Sequence, residues 1–479
     1  MLDRIAHWAQ QDPDRIALVD PDNSLSYRQF HATACALMRH LGPKNFRKSG
    51  IAVVKGDSIF DDWLLTTALR ALGLETMCPA SLADVRAMSL FKISVIVLGT
   101  ETAASLHVPP EYFAVPKIVV PKQAFRADTG AADGPIASAG GGHLLVTTGT
   151  TGSPKAIVYP EHNAEQRDEC RAVSFGFGRD TIYYASNFPL YTAVGFKNPS
   201  ATWHRGGTVV LDDLSYDAPV KLPDGINSAV LIPARIGEFA ASRRVPDSLR
   251  RKATIRVSGG FLSATTWSGI KGVLGKPIEV YFASTEIIAM IMRSPVRSVD
   301  DLNWLQPEPG RTVEIVDDAG AICPPGVEGQ LRVGLTPVDA QGYLGDDAAT
   351  ARAFRDGYFY PGDIAVSRQD GRVRVLGRLN DVINVMGHKR ASAPVEQAVL
   401  QVLNAEEVCA FSGPDRAGND QVVIVCRRPQ PLTPAERAAA EEVVRDFGPV
   451  RIVQMKEFPR RPGAMQKTDR IALRKLVFS

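Results

Sequence analysis

Short β-rich apolar runs alternate along the chain with segments of helical spacing. "GIAVV" (Gly50–Val54) leads into "FDDWLLTTALRALG", and "SVIVLG" (Ser94–Gly99) precedes another helical stretch. "TVVLDD" and "SAVLIP", starting at Thr208 and Ser228, are further strand candidates. This alternation predicts an α/β fold with sheets covered by helices. After residue 376 the pattern changes to a small α+β unit. "VRVLG" and "VINVMG" have strand character, and a helix follows with Val395, Ala398, Val399, Val402 and Leu403 at helical spacing and Pro394 in its first turn. "VCAFSG" and "QVVIVCR" predict two more strands. "LTPAERAAAEEVVRDFGP" predicts a helix with Thr433 as N-cap, Pro434 at the first position, Glu436 closing a capping box, and Gly448–Pro449 as the stop. The expected organisation is a large domain over 1–376, a hinge over 377–381 and a smaller domain over 382–479.

Composition narrows the class. The chain has 479 residues, 45% hydrophobic and 22% charged, with a net charge of +3, which fits a soluble globular protein. No basic run interleaves with aromatics, so nucleic acid is not an expected partner. No window is long and apolar enough for a membrane span, and the N-terminus lacks the apolar core of a signal peptide. Cys35, Cys78, Cys170, Cys323, Cys409 and Cys426 form no CxxC pair and have no histidine at metal-ligand spacing. Scattered thiols fit buried apolar positions in a reducing, cytoplasmic compartment.

The most informative stretch is "VTTGTTGSPKAIVY", Val146–Tyr159. The flanking runs "HLLV" and "AIVY" predict strands, so Gly, Thr, Ser and Pro here could simply form a hairpin turn. A Walker loop is excluded: no Lys-Ser/Thr pair is present, since Ala156 follows Lys155, and a strand rather than a helix comes next. The contents nevertheless suit a polyphosphate. Gly149 and Gly152 allow backbone N–H groups to converge, the threonines offer hydroxyls, and Lys155 is a cation.

This stretch resembles the "[YF]TSGTTGxPKG" signature of adenylate-forming enzymes: acyl- and aryl-CoA synthetases, nonribosomal-peptide adenylation domains and luciferases. Further resemblances follow in family order and span nearly the whole chain. They are "LSYRQF" (Leu25–Phe30), "VSGGFL" (Val257–Leu262), "FASTE" (Phe282–Glu286), "YPGDIA" (Tyr360–Ala365), "GRLNDVINVMGHKR" (Gly377–Arg390) and "QKTDRIALRKL" (Gln466–Leu476). Each alone has a bland alternative: a strand–helix junction, a surface carboxylate, an Asx turn or a solvated basic tail. Their order makes the set specific.

The resemblance implies ATP and Mg2+ as cofactors and a small carboxylic acid as substrate. The acid would become an acyl-adenylate, with CoA or the phosphopantetheine of an acyl or peptidyl carrier protein as thiol acceptor. It further implies that Thr147, Thr148, Gly149, Thr150, Thr151, Gly152 and Lys155 wrap the phosphates. Gly259, Gly260 and Phe282 would meet adenine, Thr285 the α-phosphate, Glu286 the metal, Asp363 the ribose hydroxyls, and Arg378 the ribose or phosphate. Lys467 would carry adenylation, because a mobile ammonium can bridge the carboxylate and the α-phosphate; Lys475 is its competitor. The smaller domain is expected to be mobile, and after it rotates Gly387 and Lys389 would serve thiol transfer.

Departures from the family pattern are Asn380 for Asp at the hinge, Ala156 and Ala283 for glycine, each adding a methyl near the nucleotide or acyl pocket, and Gln466 before the terminal lysine. "FPLYTAVGFKN" (Phe188–Asn198) aligns with the acyl pocket and carries no Asp for an α-ammonium, which argues for a plain carboxylic acid. Thr192 stands where many acyl-CoA synthetases have histidine. Alternatives carried forward are a non-catalytic nucleotide-binding regulator and a luciferase-like oxygenase.

Overall fold

The structure is a computed structural model that describes residues 1–42, 50–79, 93–106, 108–125, 138–147, 155–186, 188–212, 225–242, 245, 247–379, 381–385, 388–415, 419–447, 449–460 and 468–478. The fold is α/β, with a large multi-sheet region and a smaller C-terminal β/α region. By backbone contacts the chain forms two compact units, Met1–Leu302 with Leu335–Gly357, and Asn303–Gly334 with Tyr358–Ser479.

The first unit holds two sheets. One runs in the order Met292–Pro295, Glu279–Phe282, Thr254–Val257, Ser228–Leu231, Ile182–Tyr184, Thr208–Val210, Ile16–Val19, Ser24–Ser26. Its inner pairs are parallel and its two outermost pairs antiparallel. The other runs Lys117–Val120, Ile93–Gly99, Ile51–Lys55, Glu75–Met77, His143–Thr147, Lys155–Tyr159, parallel until the final antiparallel pair. Parallel strands need crossover helices on the sheet faces, which is why runs such as Ile51–Val54 are apolar at every position and fully buried. Between the sheets, Trp63 stacks on Phe196 at 5.3 Å and meets Trp203 edge-on at 4.7 Å. His143, also buried, stacks on the other side of this group at 4.0 Å from Phe196.

In the second unit, Val313–Val316, Gly329–Gly334, Tyr358–Phe359, Asp363–Ser367 and Val373–Arg378 form an antiparallel sheet. The hairpin Val382–Val385/His388–Ala391 follows, then the sheet Glu407–Pro414, Asp420–Arg427, Val450–Met455. That last sheet is buried on both faces. Val408, Ala410, Val422 and Ile424 pack with Val395, Val399 and Leu403, while Cys409, Phe411, Val423 and Val425 pack with Leu473 and Val477 of the final helix.

The capping box of Thr433 and Glu436 forms as expected. Its helix ends at Val443 rather than at Gly448. The Val444 N–H folds back to Glu441 in a tight turn, and a short 3-10 turn covers Arg445–Phe447. Val402 is exposed, so the buried face of the Ser392–Leu403 helix is Val395, Val399 and Leu403. All six cysteines are free, and all but the half-buried Cys170 are buried. Among the described residues, no helix is long and apolar enough to cross a membrane.

Candidate active site

The expected hairpin is present. His143–Thr147 pairs antiparallel with Lys155–Tyr159, and Thr147 faces Lys155 across the ladder. Thr148, Gly149, Thr150, Thr151 and Gly152 lie outside the described residues. The Ala156 methyl is buried in an apolar cluster with Leu144, Val146 and Met77. Its carbonyl accepts the Leu344 N–H at 2.8 Å, which fixes the Tyr343 segment beside the start of the strand. The Lys155 ammonium sits 4.7 Å from the centre of the Tyr343 ring, within cation–π range.

Glu286 completes this group. It is 6% exposed, so the surface-carboxylate alternative is overturned. Tyr343 Oη donates to Glu286 Oε1 at 2.7 Å, and Ser284 Oγ donates to Oε2. A buried carboxylate whose two oxygens each accept from a hydroxyl is a hard oxygen donor. Among the described residues no group of three or more His, Cys, Asp or Glu could hold a metal by itself. A single carboxylate suits Mg2+, which keeps waters and substrate phosphates in its shell.

The backbone around Glu286 leaves the sheet after Phe282 and returns at Met292, so it has no ladder to satisfy its polar groups. Side chains of two helices supply partners instead. Lys197, on Ala193–His204, donates from Nζ to Thr285 O at 2.7 Å and Ile287 O at 3.2 Å. Arg171, on Ala164–Phe175, donates to Ile288 O at 2.7 Å and to Asn198 Oδ1 at 2.8 Å. Ala340 N–H donates to Glu286 O, and Asp339 Oδ1 accepts the Ile288 N–H, each at 2.8 Å. Burial, helped by Arg171, pulls the Lys197 pKa down to about 7. Burial likewise lowers the Arg171 pKa. Lys197, Thr285, Glu286, Arg167, Tyr159 and Ala340 share the wall of a small cavity.

Gly259, Gly260 and Thr285 follow, and Phe282 closes, the C-terminal ends of two adjacent parallel strands, Thr254–Val257 and Glu279–Phe282, the edge where open α/β sheets bind ligands. Gly259 has φ +86°, which a side chain would strain. Phe282 is half-buried rather than a core aromatic. Thr192 serves the structure: its Oγ caps the helix Ala193–His204 by accepting the Gly195 N–H at 3.0 Å and donates to Pro189 O at 2.7 Å.

In the second unit, Asp363 opens a strand rather than sitting in the turn, which falls to Gly362 at φ +79°. Asp363 faces Arg378 across the ladder, with Arg378 Nη1 at 3.2 Å from Asp363 Oδ2 and donating to Pro361 O at 2.6 Å. Lys389 lies in the strand His388–Ala391. Asn380, Gly387, Gln466 and Lys467 fall outside the described residues. Just beyond Lys467, Arg470 Nη2 donates to Glu396 Oε1 at 2.6 Å, Ala410 O at 2.9 Å and Ser392 Oγ at 3.2 Å. Asp469 caps the final helix through the Ile471 and Ala472 N–H groups. Lys475 is exposed in the last turn of that helix.

Sequence reading missed Tyr343, Lys197, Arg171 and Asp339. The available signal for Lys197 was a single acid-or-base side chain before His204 in an otherwise uncharged helix; Tyr343 had none.

Residues 143–344 match the family described as AMP-binding enzyme. The chain is 28% identical over 290 residues to a medium/long-chain-fatty-acid–CoA ligase of Mycobacterium marinum, covering 58% of this chain and 56% of that protein. It therefore spans little more than half the length of that relative. It is 25% identical over 516 residues to a dimodular nonribosomal peptide synthase of Bacillus subtilis, covering 96% of this chain and 21% of that one. The o-succinylbenzoate CoA synthetase of Bacillus subtilis, solved with its acyl-adenylate intermediate, shares the fold at TM-score 0.81 and 20% identity, over 98% of this chain and 97% of the other. The match over residues 143–344 and these relatives make the chain similar to adenylate-forming enzymes.

Proposed function

We propose that this protein is an AMP-forming acid–thiol ligase. A carboxylate oxygen attacks the α-phosphorus of ATP, the bond to the bridging oxygen breaks, and pyrophosphate leaves. A thiolate then attacks the acyl carbon and AMP leaves. The thiol is that of CoA or of a carrier-protein phosphopantetheine, and the acid is a plain carboxylic acid.

The observation that carries this reading is the buried Glu286 carboxylate, held by hydroxyls beside Lys155 at the ligand-binding edge of the sheet. Both reactants are anions, so catalysis must align them and offset charge on phosphate oxygens. Lys155 and Thr147, with Thr148–Gly152, surround the β- and γ-phosphates. Thr285 meets the α-phosphate, Phe282, Gly259 and Gly260 the adenine, and Asp363 with Arg378 the ribose. Glu286 would hold Mg2+, which would neutralise phosphate charge. Lys467 bridges the two reacting anions. Movement at 377–381 then brings Gly387 and Lys389 to the acceptor arm.

Acid-dependent exchange of labelled pyrophosphate into ATP tests the first half-reaction, and a carboxylic-acid panel read afterwards by CoA consumption tests the second. Protein that binds ATP but exchanges with no acid in the panel contradicts the reading.

A further inference from the structure

Resting on that reading of Glu286, we propose that Lys197 is a positioning residue: its ammonium clasps the carbonyls on either side of Glu286 and so sets where the Glu286 carboxylate stands. The geometry is specific. Thr285 O and Ile287 O receive the same Nζ at 2.7 and 3.2 Å, and the carbonyl between them is held by the Ala340 N–H at 2.8 Å. Three consecutive peptide units are therefore pinned, and the side chain of the middle one is the candidate metal ligand. The Ile288 carbonyl next along is held by Arg171.

Burying an ammonium is unfavourable unless it has partners that repay the lost hydration. Lys197 is 2% exposed, and its ammonium bonds to backbone oxygens of this one segment. Packing alone would be served by Met or Leu at that position of the helix. The charged groups around the ammonium are Arg171, Asp339, Arg167 and Glu286, two of each sign, so local charge does not demand another cation. What a lysine adds is a single point charge that can bond two carbonyls at once. The residue acts on metal and nucleotide through the backbone, as outer groups do around metal ligands.

The test compares the full-length wild type with Lys197→Met, which keeps length and removes charge and donors. Calorimetry measures ATP binding with and without Mg2+, and pyrophosphate exchange is titrated with Mg2+. Lys197→Met should bind Mg2+-free ATP within about twofold of wild type, while the Mg2+ concentration for half-maximal exchange and the gain in ATP affinity from Mg2+ worsen by about 10-fold or more. A folded Lys197→Met protein with wild-type Mg2+ dependence overturns the proposal. So does equal loss of ATP binding with and without Mg2+. If Lys197→Met does not fold, Lys197→Gln, which retains N–H donors without charge, is read in the same way. Failure of both variants to fold also overturns the assignment, because the residue is then a structural pillar. Wild type that neither binds ATP nor exchanges pyrophosphate defeats the functional reading itself, and that outcome is seen before any variant is measured.

Discussion

Replacing Tyr343 by Phe removes one oxygen atom and leaves the ring in place beneath Lys155. The lost interaction is the 2.7 Å bond from Tyr343 Oη to Glu286 Oε1, made to a carboxylate that is 6% exposed. A hydrogen bond to a charged group contributes about 1.5–3 kcal/mol, and leaving a buried acceptor unpaired forfeits that amount. Ser284 still serves the other oxygen, which places the expected loss at the lower end, about 1.5 kcal/mol, or roughly 10-fold in an equilibrium or rate. Pyrophosphate exchange with Tyr343→Phe should therefore fall about 10-fold at limiting Mg2+, with Lys155 still seated on the ring. Tyr343→Leu, which also removes the ring, should lose about a further 0.5–1 kcal/mol from the cation–π contact. The same two variants in a Lys155→Met background should become nearly equal, since the cation is gone. Exchange by Tyr343→Phe within about twofold of wild type at every Mg2+ concentration would refute the placement of Glu286 in the nucleotide site.

Lys467→Ala should abolish pyrophosphate exchange, whereas Lys389→Ala should leave exchange and slow thiol transfer. Equal loss of both steps in Lys389→Ala would end that division of labour. Arg470→Met should destabilise the second unit by about 3 kcal/mol in urea unfolding, because Glu396, at 16% side-chain exposure, loses its cation; an unchanged midpoint would show the pair to be dispensable. Burial holds the His143 imidazole at a pKa of about 3, against 6.5 when exposed. The unfolded chain thus binds a proton that the native state refuses, and stability falls as pH drops below about 6.5. At pH 4.5 this group should cost about 3 kcal/mol relative to pH 7.5, and His143→Gln should flatten the slope measured by denaturant titration.

Much of the fold was legible because its signals are local. Runs such as Ile51–Val54 are apolar at every position because parallel strands are covered twice, and the Thr433 capping box is written within four residues. The hairpin around the glycine-rich loop was legible for the same reason. The surroundings of Glu286 were not. Tyr343 is 57 positions away and Lys197 lies 88 and 90 positions from the carbonyls it holds, so no spacing rule connects them. The burial of Glu286 depends on those distant groups, which is why sequence alone left a surface carboxylate open. Val402 shows the opposite limit: it has the right spacing but is exposed near the end of its helix.

The bond from the Leu344 N–H to the Ala156 carbonyl has a practical consequence for redesign. A main-chain bond is largely independent of side-chain identity, so the lateral alignment of Lys155 with Tyr343 survives substitution at 156, or at 344 by any residue but proline, as long as the volume fits. Thr147 and Lys155, already locked opposite one another, then become natural splice points. A glycine-rich segment of another length or composition can be grafted between them while the cation on one side and the aromatic platform below it keep their addresses.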